Sequence, residues 1–77
     1  MDTYTINLEK EHKHTMKCLL YIRKNKKISQ TTLAKKIGVD QPTISRWERG
    51  DHPIPLGYIG AYADAVGYKA SLSLSPV

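Results

Sequence analysis

Between Gln30 and Gly50 the chain has room for one local arrangement, two short helices joined by a tight turn. Ser29 is a good N-cap for a helix starting at Gln30, because its hydroxyl can accept from an amide of the first turn. That helix turns Leu33, Ala34 and Ile37 inward and stops at Gly38, whose missing Cβ suits a left-handed residue. Val39 bridges the turn, and Asp40 or Gln41 caps the next helix. Pro42 falls in its first turn, where a missing N–H costs nothing. Ile44 and Trp47 are three apart and share the inward face, and Gly50 closes the helix.

Around this pair the chain reads as one domain in three parts: an N-terminal strand or arm at 1–8, a helical core at 9–66, and a C-terminal strand at 67–77. Residues 3–8 alternate, with Tyr4, Ile6 and Leu8 on one face. From about 9 to 25 the spacing becomes helical, with Thr15, Leu19 and Ile22 inward and Met16 and Cys18 at the edge of the stripe. Residues 51–55 form a loop stiffened by Pro53 and Pro55. A fourth helix over about 56–66 turns Leu56, Ile59, Ala63 and Val66 inward and ends at Gly67. Gly57 and Gly60 weaken it, so it depends on packing.

In the tail, Tyr68, Ala70, Leu72 and Leu74 alternate with Lys69, Ser71, Ser73 and Ser75. This is the pattern of a half-buried strand, and a lone strand is not stable in water. The only other strand candidate is 3–8, and two short strands make a weak ribbon. The sheet is therefore expected to be completed between two copies of the chain, with Tyr68, Ala70, Leu72 and Leu74 in the dimer interface; the alternative is a mobile tail.

Seventy-seven residues bury a modest core, so such a domain needs a staple or a partner. The single Cys18 forms no internal disulfide, and His12 and His14, two apart, fall on different sides of a helix; no metal site and no cofactor is expected. No apolar run is long enough to cross a membrane, and the start lacks the layout of an export signal, which points to the cytoplasm. From 10 to 49 there are eleven Lys/Arg against three acidic residues, whereas the remainder has one Lys against four. The helical segment thus carries the basic charge that phosphate binding requires, although a solubilising lysine face would look the same.

The segment from about 23 to 66 resembles the helix-turn-helix of the Cro and phage-repressor class, the XRE family. The likeness is carried by Gln30 opening the first motif helix, Ala34 at the helix crossing, the turn Gly38, the anchor Ile44 and the run Ile44-Ser45-Arg46-Trp47-Glu48-Arg49-Gly50. It implies a mainly α, lambda-repressor-like domain that binds double-stranded DNA and regulates transcription. It also implies a structural ion pair between Arg23 and Glu48, and a Gln30 that meets phosphate and braces the recognition helix. The tail is similar to that of antitoxins in persistence-associated toxin–antitoxin systems, whose strand pairs across a dimer.

With Ile44 and Trp47 inward, Gln41, Thr43 and Arg46 point outward and Ser45 lies at the flank. Gln can contact adenine, Arg can contact guanine, and Thr can touch a thymine methyl. Gln41 and Arg46 are the expected base readers, with Thr43 helping and Pro42 as an apolar contact; Arg46 could instead hold only a phosphate. Ser29, Gln30, Thr31, Lys35, Ser45, Arg49 and His52 are the candidate phosphate contacts, Lys35 being equally plausible as a solvated charge. One such helix reads few base pairs, so a homodimer on a palindromic operator is expected, acting as a repressor. A toxin-neutralising antitoxin is the alternative. Enzymatic activity is not expected, since no nucleophile–base–acid set or phosphate-cradling glycine loop is present. Tyr58, Tyr62 and Tyr68 either build an interface or pack at the edge of the core.

Overall fold

A computed structural model describes residues 3–6, 12–72 and 76, with side chains for 14–70 and 76. The elements run β1 (Thr3–Ile6), α1 (His12–Asn25), α2 (Gln30–Ile37), α3 (Gln41–Arg49), α4 (Leu56–Ala65) and β2 (Lys69–Leu72). Residues 7–11 and 73–75 lie outside the described residues, and with them the expected strand ends, the expected start of the first helix at residue 9, and Leu74.

Local chemistry sets the helix ends. The Ser29 hydroxyl accepts from the Thr32 N–H at 3.0 Å and caps α2, which Gly38 ends in the left-handed region at φ +82°. Of the two candidates to cap α3, Asp40 does so, accepting from the Thr43 N–H at 3.0 Å. Gly50 closes α3 at φ +83°, a conformation in which a side chain would be strained. Pro55 precedes α4 without a side-chain cap, so the stability of α4 comes from the face it buries.

That buried face joins those of α1, α2 and α3 in one core. Leu33, Ile44, Ile54, Ile59, Tyr62 and Val66 are fully enclosed, with Met16, Leu19, Ile22, Ala34, Trp47 and Ala63 around them. Enclosing each large aliphatic side chain contributes about 1.5–3 kcal/mol relative to leaving it in water. Three expectations are corrected here. Leu56 is 51% exposed, because the first turn of α4 projects past the core. Met16 lies within the core rather than at its edge, its flexible thioether filling space beside α3. Tyr62 is enclosed in the core, so it has no surface to offer an interface. Ile54 also comes inward from a loop, a position that helical spacing does not flag.

The two strands pair with each other, in parallel, within one chain. Thr3, Tyr4, Thr5 and Ile6 lie opposite Lys69, Ala70, Ser71 and Leu72. A parallel pair needs a long crossover, and here the four helices supply it. Ala70 and Tyr68 are partly buried against the chain's own core, and the Lys26 ammonium sits 5.0 Å above the Tyr68 ring. These contacts tie the start of β2 to the turn between α1 and α2. Among the described residues each strand has one neighbour, so each keeps an outer edge.

Candidate DNA-binding surface

The outward wall of α3 is set from beneath by Glu48. Arg23 reaches it from α1 in two-point fashion, Nε to Oε2 at 2.7 Å and Nη2 to Oε1 at 2.8 Å. The third guanidinium nitrogen, Nη1, donates to the Ile28 carbonyl at 2.7 Å. From α4 the Tyr62 hydroxyl donates to Oε2 at 2.6 Å, and from α2 the Gln30 amide donates to Oε1 at 2.8 Å. Burial pushes the Glu48 carboxyl up, but the hydrogen bonds from Arg23, Tyr62 and Gln30 outweigh it and hold the group below the usual carboxylate range. The bond to Glu48 raises Arg23 above its ordinary value. Burial, followed by the bond to Glu48, pushes the Tyr62 phenol far up.

This arrangement dictates the orientation of two amides. An ionised carboxylate only accepts, so Gln30 must present its NH2 group to Glu48 and therefore its carbonyl to the other side. There the Gln41 Nε2 donates to Gln30 Oε1 at 2.6 Å. The first residue of α3 is thus fixed through a relay that begins at the buried Arg23. Gln41 remains half-buried, with its own carbonyl outside the relay. On the same wall Pro42 and Arg46 are exposed, and Thr43 and Ser45 are half-exposed.

At the N-terminus of α3 the Thr43 hydroxyl and N–H both donate to Asp40 Oδ1. Those bonds, the hydroxyl's first, hold the exposed Asp40 carboxyl below its ordinary value. At the other end, Arg49 donates to Asp51 and to Ser45 Oγ at 3.1 Å, which fixes its guanidinium along the outer wall.

The structure gathers Gln30, Gln41, Pro42, Thr43, Ser45, Arg46 and Arg49 on or beside α3. Ser29 and Thr31 stand at the N-terminus of α2, the Ser29 hydroxyl being committed to the cap. Lys35 is exposed about a turn and a half further along α2, apart from this group. His52 is exposed in the loop after α3. Sequence reasoning missed Tyr62 as the partner of Glu48. Its place in the Ile59, Tyr62, Ala63, Val66 stripe marks it for burial, but nothing local names the carboxylate it meets. Among the described residues no three His, Cys, Asp or Glu side chains come together as metal ligands, and no helix is long and apolar enough to cross a membrane.

Two capped helices in this crossing, the second with a polar outer wall above a buried ion pair, define a helix-turn-helix DNA-binding domain. The family HTH_3, Helix-turn-helix, matches residues 19–72, and the chain belongs to this XRE-type helix-turn-helix family. The chain is 31% identical over 70 residues to antitoxin HigA1 of Mycobacterium tuberculosis, in strains CDC 1551 / Oshkosh and ATCC 25618 / H37Rv. The aligned region is 91% of this chain and 47% of the antitoxin, so the chain spans about half the length of these curated relatives. No solved structure gives a significant match.

Proposed function

We propose that this chain is a non-enzymatic repressor of the cytoplasm that binds a palindromic operator as a homodimer. The N-terminal half of α3 enters the major groove of double-stranded DNA. Gln41 and Arg46 read bases, Thr43 and Pro42 add contacts, and Ser29, Gln30, Thr31, Lys35, Ser45, Arg49 and His52 meet phosphates. The observation that supports this reading is the relay from Arg23 through Glu48 and Gln30 to Gln41. It fixes a base-reading amide before DNA arrives, so little side-chain entropy is lost on binding. The Gln30 side chain being engaged, its phosphate contact falls to the backbone N–H groups of the first turn of α2.

Dimerisation uses the tail. Among the described residues β2 has one neighbouring strand, and a second copy can continue the sheet at its outer edge. Tyr68, Ala70, Leu72 and Leu74 are the tail residues assigned to that contact, Tyr68 and Ala70 being partly buried against the chain's own core as well. Selection of duplexes from a random pool, with sedimentation of the free protein and of the complex, tests both halves of the proposal. Enriched half-sites with centres about 10 bp or a multiple apart, bound two chains to a duplex, are the expected result. A monomer bound to a single half-site would reject the dimer.

A second reading is favoured by the 31% identity to curated antitoxins. In it the same chain also binds and neutralises a toxin protein. Co-expression with the product of the adjacent reading frame tests this: a stable complex and rescued growth support it, and separate elution without rescue rejects it.

A further inference from the structure

We infer that Asp40 and Thr43 act together as an acceptor-only reader of the major groove, selecting cytosine through its N4 amino group. The inference rests on the reading of α3 as the helix that enters the groove, and adds to it a residue and a base.

The chemistry follows from where one proton goes. A threonine hydroxyl has a single proton, and that of Thr43 is given to Asp40 Oδ1, which also accepts the Thr43 N–H at 3.0 Å. The outward side of Thr43 therefore offers lone pairs and a methyl group, with no O–H left to donate. Asp40 is exposed beside it. A carboxylate has about four lone-pair sites, so two bonds from Thr43 leave capacity for a donor from outside. An exposed Asp carboxyl is ionised at neutral pH, and the bonds from Thr43, with the charge of Arg46 nearby, hold Asp40 lower still, so it too has no proton to give.

Such a surface ranks the four bases. Guanine presents N7 and O6 and thymine presents O4, all acceptors that repel a carboxylate. Adenine offers the N6 amino group with the N7 lone pair beside it. Cytosine offers N4–H2 with an acceptor on one side only, the O6 of its paired guanine, whereas adenine N6 lies between its own N7 and the O4 of its paired thymine, so cytosine fits best. One turn further along α3, Arg46 carries the opposite chemistry, donors suited to guanine, so the two ends of the wall are not interchangeable.

The test uses the full chain and two variants, Asp40→Ser and Asp40→Asn, both good N-cap residues that preserve α3. Each is used to select duplexes from a random pool, and the recovered site and its single-base variants are then titrated by fluorescence anisotropy. For the unsubstituted chain one position of each half-site should be enriched in cytosine, with guanine or thymine there weakening binding at least about fivefold. Both variants can donate as well as accept, so they should tolerate guanine or thymine at that position and keep their preferences elsewhere. Two results overturn the inference alone: variants that retain an undiminished cytosine preference, or an enriched site without such a position. A pool with no enrichment for the unsubstituted chain would instead overturn the DNA-reading role of α3 itself.

Discussion

Arg23 and Glu48, twenty-five positions apart, meet through two parallel bonds of 2.7 and 2.8 Å beneath α3. Their side chains are 10% and 4% exposed, so the pair is held largely away from water. Such a pair need not raise net stability over an apolar substitute, since both charges lose hydration. Its function here is geometric, because the same carboxylate holds Gln30 and, through it, Gln41.

Removing one partner should be costly. Arg23→Met leaves the Glu48 carboxylate buried without its counter-charge and is expected to lose about 3–5 kcal/mol of stability. In a domain of this size each kcal/mol lowers the midpoint by about 4–8 °C, so a thermal melt followed by circular dichroism reads the effect directly. A melt within about 3 °C of the parent would show that the pair does not hold the fold.

Stability should fall in acid. The folded-state carboxyls of Glu48 and Asp40 lie below their ordinary values of 4.5 and 3.8. Each contribution is therefore present above the ordinary value and is lost as pH falls through the depressed folded value. Tyr62 is shifted upward, so its contribution is intact below pH 10 and declines above it. A melting-temperature profile should be flat between about pH 6 and 8 and drop below about pH 4.5. Glu48→Gln should flatten the acid limb, and an unchanged limb would exclude Glu48 as its source.

The bond between Gln30 and Gln41 predicts coupling in DNA affinity. Gln30→Ala frees Gln41 to rotate, so the loss from Gln41→Ala should be smaller in that background. A double-mutant cycle on the selected operator should give an interaction energy of about 0.5–3 kcal/mol. Additive losses would mean that the bond does not persist in the complex.

Arg46→Ala should lose about 1–3 kcal/mol on the selected operator and relax one position of the site. An equal loss on random and selected duplexes would assign Arg46 to the phosphate backbone instead.

Lys27 adopts φ +58° in the turn between α1 and α2 without being glycine. Left-handed backbone costs a residue with a Cβ about 1–2 kcal/mol, partly offset in glycine by the entropy it loses on folding. Lys27→Gly is therefore expected to raise the melting temperature by a few degrees, corresponding to about 0.5–1 kcal/mol. A lower midpoint would show that the lysine side chain stabilises the turn by more than its backbone strain costs.

The scaffold of the candidate site was largely legible in the sequence because its signals are local. Ser29, Gly38, Pro42 and Gly50 act within one helical turn, and the structure shows them where spacing puts them. Ile44 and Trp47, three apart, fix which wall of α3 is inward, and so which residues face out. The choice of Asp40 over Gln41 as cap was not legible, since either residue can cap. Leu56 misled for a related reason. Its spacing continues the apolar stripe of α4, but spacing does not say where along the helix the neighbouring elements end.

By itself the sequence determined the helix pair α2 and α3, the Ser29 cap, the closing glycines and the inward wall of α3, all consequences of backbone geometry and side chains a few residues apart. Tertiary structure decided which distant groups meet: Tyr62 on Glu48, Gln30 between Glu48 and Gln41, and β1 alongside β2 in one chain. A hydroxyl, an amide or a strand edge can take many partners. Which one it takes depends on how the packed helices bring remote surfaces within about 3 Å, and no local pattern encodes that distance.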